Sequence, residues 1–128
     1  MPNYQGVTGS KKTKPPWTNG DMSEMAKASI EQVTRSIVRA FHPRKIILFG
    51  SHARGYPGPD SDIDLLVIMD SSLSAGRRAA QIYRMLGVRP FSLDILVYTP
   101  REIQERLAGF DSFLEDVLKK GRVLYEAG

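Results

Sequence analysis

Apolar residues recur at spacings of three and four from Met22 to Phe41 (Met22, Met25, Ala26, Ile30, Val33, Ile37 and Phe41), which predicts an amphipathic helix. Asp21 with Glu24 forms a capping-box pattern at its start, and His42-Pro43 ends it. The period then changes. Lys45 to Phe49 (KIILF) reads as a short buried strand running straight into Gly50-Ser51, with a helical turn through Ala53 and Arg54 after it. Asp62 to Met69 (DIDLLVIM) is apolar on both faces beyond its acids, the pattern of a central strand covered on both sides. A helix from Ser74 to Leu86 should turn Ala75, Ala79, Ile82 and Leu86 inward and several arginines outward. Phe91 to Tyr98 (FSLDILVY) is a third strand, with Leu93, Ile95 and Val97 on one face and Ser92, Asp94 and Leu96 on the other.

Thr99-Pro100-Arg101-Glu102 combines an N-cap, a proline at the first helical position and a capping-box glutamate, so it starts a helix that ends near Gly109. A further helix from Ser112 to Lys120 stops at Gly121, and Arg122 to Tyr125 is a last strand. The fold class is α/β (α+β), a small mixed β-sheet flanked by helices, with no internal repeat. Residues 1–20 are rich in Gly, Pro, Thr, Asn and Lys and lack periodicity, so they are expected to form a flexible N-terminal tail before one domain over 21–128. Trp17 is the exception there, a residue to pack locally or against a partner.

At 128 residues the chain is large enough for one modest core. The net charge of +4 is concentrated in the tail: Lys11, Lys12 and Lys14, with no acid beside them, leave 15 basic and 14 acidic residues elsewhere. A nucleic-acid-binding reading therefore rests on the tail alone, and nucleic acid is not an expected partner. The absence of cysteine excludes disulfides, thiolate metal sites and cysteine nucleophiles, and fits a reducing cytoplasm. Any metal must be held mostly by oxygen ligands, which suits Mg²⁺ or Mn²⁺. No apolar run approaches the roughly 20 residues of a membrane span, and no signal-peptide apolar region opens the chain.

The chemistry concentrates between the first two strands. Gly50 lets the backbone approach a phosphate closely, Ser51 supplies a hydroxyl and an amide, and Arg54 adds a positive charge. Asp62 and Asp64 project from one face of a strand, where like charges are costly without a cation or proton. Asp62 alone reads equally as a turn cap with Asp60 and Ser61. Asp64 does not, because it interrupts an apolar strand where an unpaired carboxylate is expensive. An ion pair with Arg54 or Lys45 is the competing account. Asp94 repeats the anomaly on a later strand. Three carboxylates on one sheet face can hold two divalent ions about 3.5–4 Å apart, the arrangement for in-line displacement at phosphorus.

Gly50-Ser51, a ten-residue gap, Asp62-Ile63-Asp64 and then Asp94 resemble the nucleotidyltransferase superfamily that includes DNA polymerase beta. The chain is most similar to the small stand-alone branch, the minimal nucleotidyltransferases (MNT), over roughly residues 22 to 126. The resemblance implies the polymerase beta-like nucleotidyltransferase fold and Mg²⁺-dependent transfer of a nucleoside monophosphate from a triphosphate, with pyrophosphate released. By position, Gly50 and Ser51 would bind the phosphates, with Arg54 beside them. Asp62 and Asp64 would bind both metals, and Asp94 the metal that activates the acceptor hydroxyl. His52 stands where an aromatic such as tyrosine is common and is assigned no role. The Tyr56-Pro57-Gly58-Pro59 loop is read as a stiff spacer that positions Asp62.

Larger family members append a domain that grips the acceptor, whereas three residues follow Tyr125 here. The acceptor is therefore expected to dock on an open face or to be a protein partner. The stand-alone branch implies an antitoxin that moves AMP from ATP onto a tyrosine of a HEPN-type toxin ribonuclease. The alternatives are transfer to a small molecule or RNA end, and a non-catalytic antitoxin acting by binding.

Overall fold

In the computed structural model, which describes residues 24–55 and 61–128, helix α1 covers Glu24–Phe41 and buries Ile30, Val33 and Ile37. Those three lie on the stripe that the apolar spacing marks. Asp21, Met22, the 1–20 tail with Trp17 and the Tyr56–Pro59 loop lie outside the described residues. Pro43 disfavours helical geometry at His42. His42 adopts a positive φ of 50°, and its amide closes on the Val38 carbonyl at 3.0 Å.

The remaining elements follow in the expected order. They are β1 (Lys45–Phe49), α2 (Ser51–Arg54), β2 (Ile63–Ile68), α3 (Ala75–Leu86), β3 (Leu93–Tyr98), α4 (Pro100–Ala108), α5 (Ser112–Lys120) and β4 (Arg122–Glu126). The sheet order is β3-β2-β1-β4, with β1 antiparallel to both its neighbours and β2 parallel to β3. Each side of the sheet has its own core. Ile46, Leu48, Leu65, Val67, Ile95 and Val97 pack with Ile30, Ile37 and Ile82 of α1 and α3. Ile47, Leu66 and Ile68 pack on the opposite face with Leu114 and Val117 of α5 and with Ile103 and Leu107 of α4. Each fully buried Ile or Leu contributes roughly 1.5–3 kcal/mol, so β1 and β2, covered on both faces, anchor the molecule. No helix among the described residues is long and apolar enough to cross a membrane.

One expectation for α3 is corrected. Ala75 is exposed, and the inward position of the first turn belongs to Arg78, only 5% exposed. Its guanidinium donates to the Leu73 and Val97 carbonyls and forks onto the Glu102 carboxylate at 2.7 and 3.1 Å. Glu102 also accepts from the Thr99 amide while Thr99 Oγ1 accepts from the Glu102 amide, the full capping box of α4. One carboxylate thus starts α4 and locks it to α3. Arg78 holds that carboxyl below the usual range, chiefly through its hydrogen bonds.

Candidate active site

The carboxylates stand at the start of the parallel pair β2/β3, on the face shared with Leu66 and Leu96. Asp64 is in register with Asp94 on β3 and with Phe49 on β1. Adjacent strands lie about 4.8 Å apart, so this register puts Asp64 and Asp94 side by side. Asp62, two residues before Asp64, is exposed, as is Asp94, while Asp64 is half-buried. Helices α4 and α5 cover the later parts of these strands and leave the acidic start uncovered.

Gly50 completes the arrangement. It takes φ 77° and ψ −156°, a conformation open to glycine, and a Cβ there would overlap Oδ2 of Asp64. The turn after β1 and the carboxylate of β2 are therefore in direct contact. Ser51 and Arg54 follow on α2, whose Ala53 carbonyl accepts from Arg122 Nε at 3.1 Å. That bond ties the turn to the start of β4.

Among the described residues, no ion pair neutralises these charges. Lys45, one of the two candidate partners for Asp64, pairs with Glu126 at 3.5 Å instead. Arg54 is exposed and forms no ion pair among the described residues. Burial raises the Asp64 pKa above the ordinary carboxylate value, and the charges of Asp94 and then Asp62 push it further; His52 and Arg54 pull it back. Among the described residues, no group of three or more His, Asp and Glu side chains is gathered tightly enough to make a ready metal site. The donor set nevertheless fits a hard divalent cation: Asp62, Asp64 and Asp94 offer only carboxylate oxygens, and a cation would relieve the cost that burial and the neighbouring acids place on a charge at Asp64.

Two residues that the sequence left without a role support this geometry. His52 is buried, and its Nε2 lies 3.3 Å from the Ser61 carbonyl, so the tautomer protonated there donates across the entry to Asp62. Its Nδ1 is buried without a partner among the described residues. Tyr83 of α3 reaches the outer edge of β3, where its hydroxyl donates to the Leu93 carbonyl at 3.1 Å and accepts from the Ile95 amide at 2.8 Å. Those two residues bracket Asp94. A tyrosine at a half-inward helical position was the available signal, but its partners are set by docking.

Beside the carboxylates lies an open groove of about 670 Å³, with Asp62 and Asp94 on one side and Val88, Arg89 and Phe91 on the other. Val88 is fully exposed. Such a site offers neighbouring carboxylates, a glycine turn packed against one of them and an open groove beside them.

Among families of known proteins, the model described as nucleotidyltransferase domain matches residues 30–125, from within α1 into β4. The matched stretch contains the Gly50 turn and all three aspartates. No curated protein matches the chain by sequence.

Proposed function

The chain belongs to the nucleotidyltransferase domain family, and from that premise we propose that it is a protein adenylyltransferase. In this reading it moves AMP from ATP onto a tyrosine hydroxyl of a HEPN-type toxin ribonuclease and so acts as an antitoxin. The observation that carries transfer chemistry is the register of Asp64 with Asp94 beside a turn whose residue 50, packed against the Asp64 carboxylate, has no room for a Cβ.

Asp62, Asp64 and Asp94 would hold Mg²⁺, and bound Mg²⁺ supplies charge neutralisation at phosphorus and a more acidic acceptor hydroxyl. The chain's own residues do the rest. Gly50 and Ser51 present backbone and hydroxyl donors to the phosphates, and Arg54 adds an exposed positive charge. Tyr83 fixes the edge strand that carries Asp94, and His52 fixes the approach to Asp62. Holding acceptor and phosphate in line removes much of the entropic cost of a bimolecular step.

Support for a protein acceptor comes from the groove. It is open, and it presents the fully exposed Val88 with Phe91 next to Asp62 and Asp94. Apolar side chains at the rim suit a folded partner's surface. The test is incubation with Mg²⁺-ATP and a HEPN-type toxin ribonuclease, followed by intact-mass measurement. A gain of whole AMP units on that partner is expected. Toxin neutralisation with no mass gain from any of the four nucleoside triphosphates would establish action by binding instead. AMP on RNA or a small acceptor without the protein would replace the acceptor.

A further inference from the structure

Two open spaces flank the row of carboxylates, one at each end. Across the sheet the order runs from Asp94 on β3 to Asp64 on β2 to Phe49 and Gly50 at the end of β1. The groove beside Asp62 and Asp94 lies at the β3 end. At the other end a cavity of about 210 Å³ opens between α2 and α5, with Phe49, Gly50, Arg54, Phe113, Asp116 and Lys120 in its wall. Displacement at phosphorus is in line, with the entering and leaving oxygens on opposite sides. An acceptor entering at the Asp94 end sends the leaving group toward Gly50.

Resting on the nucleotidyl-transfer reading, which puts the phosphates at the Gly50 turn, we propose that Lys120, on the facing wall of this second cavity, is a further residue that binds the β- and γ-phosphates of the triphosphate. Phe49 and Phe113 meet edge to face at 5.8 Å and 82°, so their rings are engaged with each other and leave no slot between them for a base. The cavity's cations are Arg54, without an ion pair among the described residues, and Lys120, whose ammonium lies 3.1 Å from Asp116. That pair is exposed at both ends and weak, so a polyphosphate can take the ammonium from it.

The placement of Lys120 is fixed by the fold. It is the last residue of α5, and a Cβ on the next residue, Gly121, would come within 2.5 Å of both Ile47 Cγ2 and the Val117 carbonyl. The following Arg122 bonds to Ala53 of α2, so the elements bearing Lys120 and Arg54 are tied together. In the step, the acceptor oxygen bonds to the α-phosphorus while the bond to the α–β bridging oxygen breaks. The electron pair leaves with pyrophosphate, and the hydroxyl proton passes to solvent. Negative charge grows at the end where Arg54 and Lys120 stand.

Calorimetric titration of the full chain with Mg²⁺-pyrophosphate, Mg²⁺-ATP and AMP tests this. Lys120→Gln should weaken pyrophosphate and ATP binding about tenfold, the effect of losing one charged phosphate contact, and leave AMP unchanged. Asp116→Asn, which frees Lys120, should tighten both. Lys120→Gln binding within about twofold of wild type for pyrophosphate and ATP would overturn the assignment and leave nucleotidyl transfer standing. An equal loss for AMP would also overturn it. A wild-type chain that binds neither ATP nor pyrophosphate would remove the nucleotidyl-transfer reading itself.

Discussion

Replacing Gly50 by alanine should disable the site by moving Asp64, although glycine contributes no side chain. The φ of 77° and ψ of −156° lie in a region that costs residues bearing a Cβ roughly 1–3 kcal/mol. The methyl group would also overlap the Asp64 carboxylate, whose Cγ lies 3.2 Å from the added atom, so that side chain must swing away. Overpacking of this kind costs a further 1–3 kcal/mol or so. Together these predict a loss of about 2–6 kcal/mol in unfolding free energy. Misplacing a catalytic group by about 1 Å costs on the order of 100-fold, so transfer should fall at least that far. Urea unfolding followed by circular dichroism gives the first quantity. With a slope of roughly 1–3 kcal/mol per molar urea, the midpoint should drop by about 1 M or more. Gly76→Ala is the control: on α3 a Cβ meets nothing within 4 Å, so it should stabilise by about 0.5–1 kcal/mol. A Gly50→Ala variant with the wild-type midpoint and wild-type transfer would refute a tight contact between this backbone and Asp64.

Tyr83→Phe removes both bonds to the outer edge of β3. It should cost about 1–2 kcal/mol by chemical denaturation and lower the rate of transfer more than it alters ATP binding. Arg78→Met strands Glu102 and the two carbonyls; because Glu102 can rehydrate, the loss should be about 2–3 kcal/mol, below that for a fully buried pair. Glu102 also sets part of the acid response. Its folded pKa lies below the ordinary glutamate value of 4.5, so its stabilisation is complete above that pH and disappears as pH falls through the lowered value. Melting temperatures of wild type and Glu102→Gln should therefore converge as the pH is taken well below 4.5.

The residues whose role follows from local pattern were legible in the sequence. The capping box at Thr99 and Glu102, the doubly covered β2, and the anomaly of Asp64 and Asp94 inside apolar strands follow from local pattern, whereas the register that sets the two side by side comes from strand pairing. The family match over residues 30–125 agrees with the motif resemblance. What spacing does not encode is which distant group completes a polar side chain. Arg78 reads as one more outward arginine until α4 docks and brings Glu102, 24 residues away, against it. His52 is buried because α2 folds under the entry to β2, and Tyr83 finds its partners only when α3 lies along β3. The place of β4 beside β1, which ties Arg122 to α2, is likewise a matter of tertiary pairing.

The most direct test of the central claim is transfer of α-labelled nucleotide from Mg²⁺-ATP to the partner protein by wild type and by Asp64→Asn. Burial and the charges of Asp94 and Asp62 raise the Asp64 pKa, so its ionised form opposes folding above that pKa. The asparagine variant should then melt no lower than wild type at neutral pH, and any loss of transfer cannot be assigned to unfolding. The account predicts labelled partner and released pyrophosphate with wild type and neither with Asp64→Asn. Equal labelling by the two proteins would contradict it.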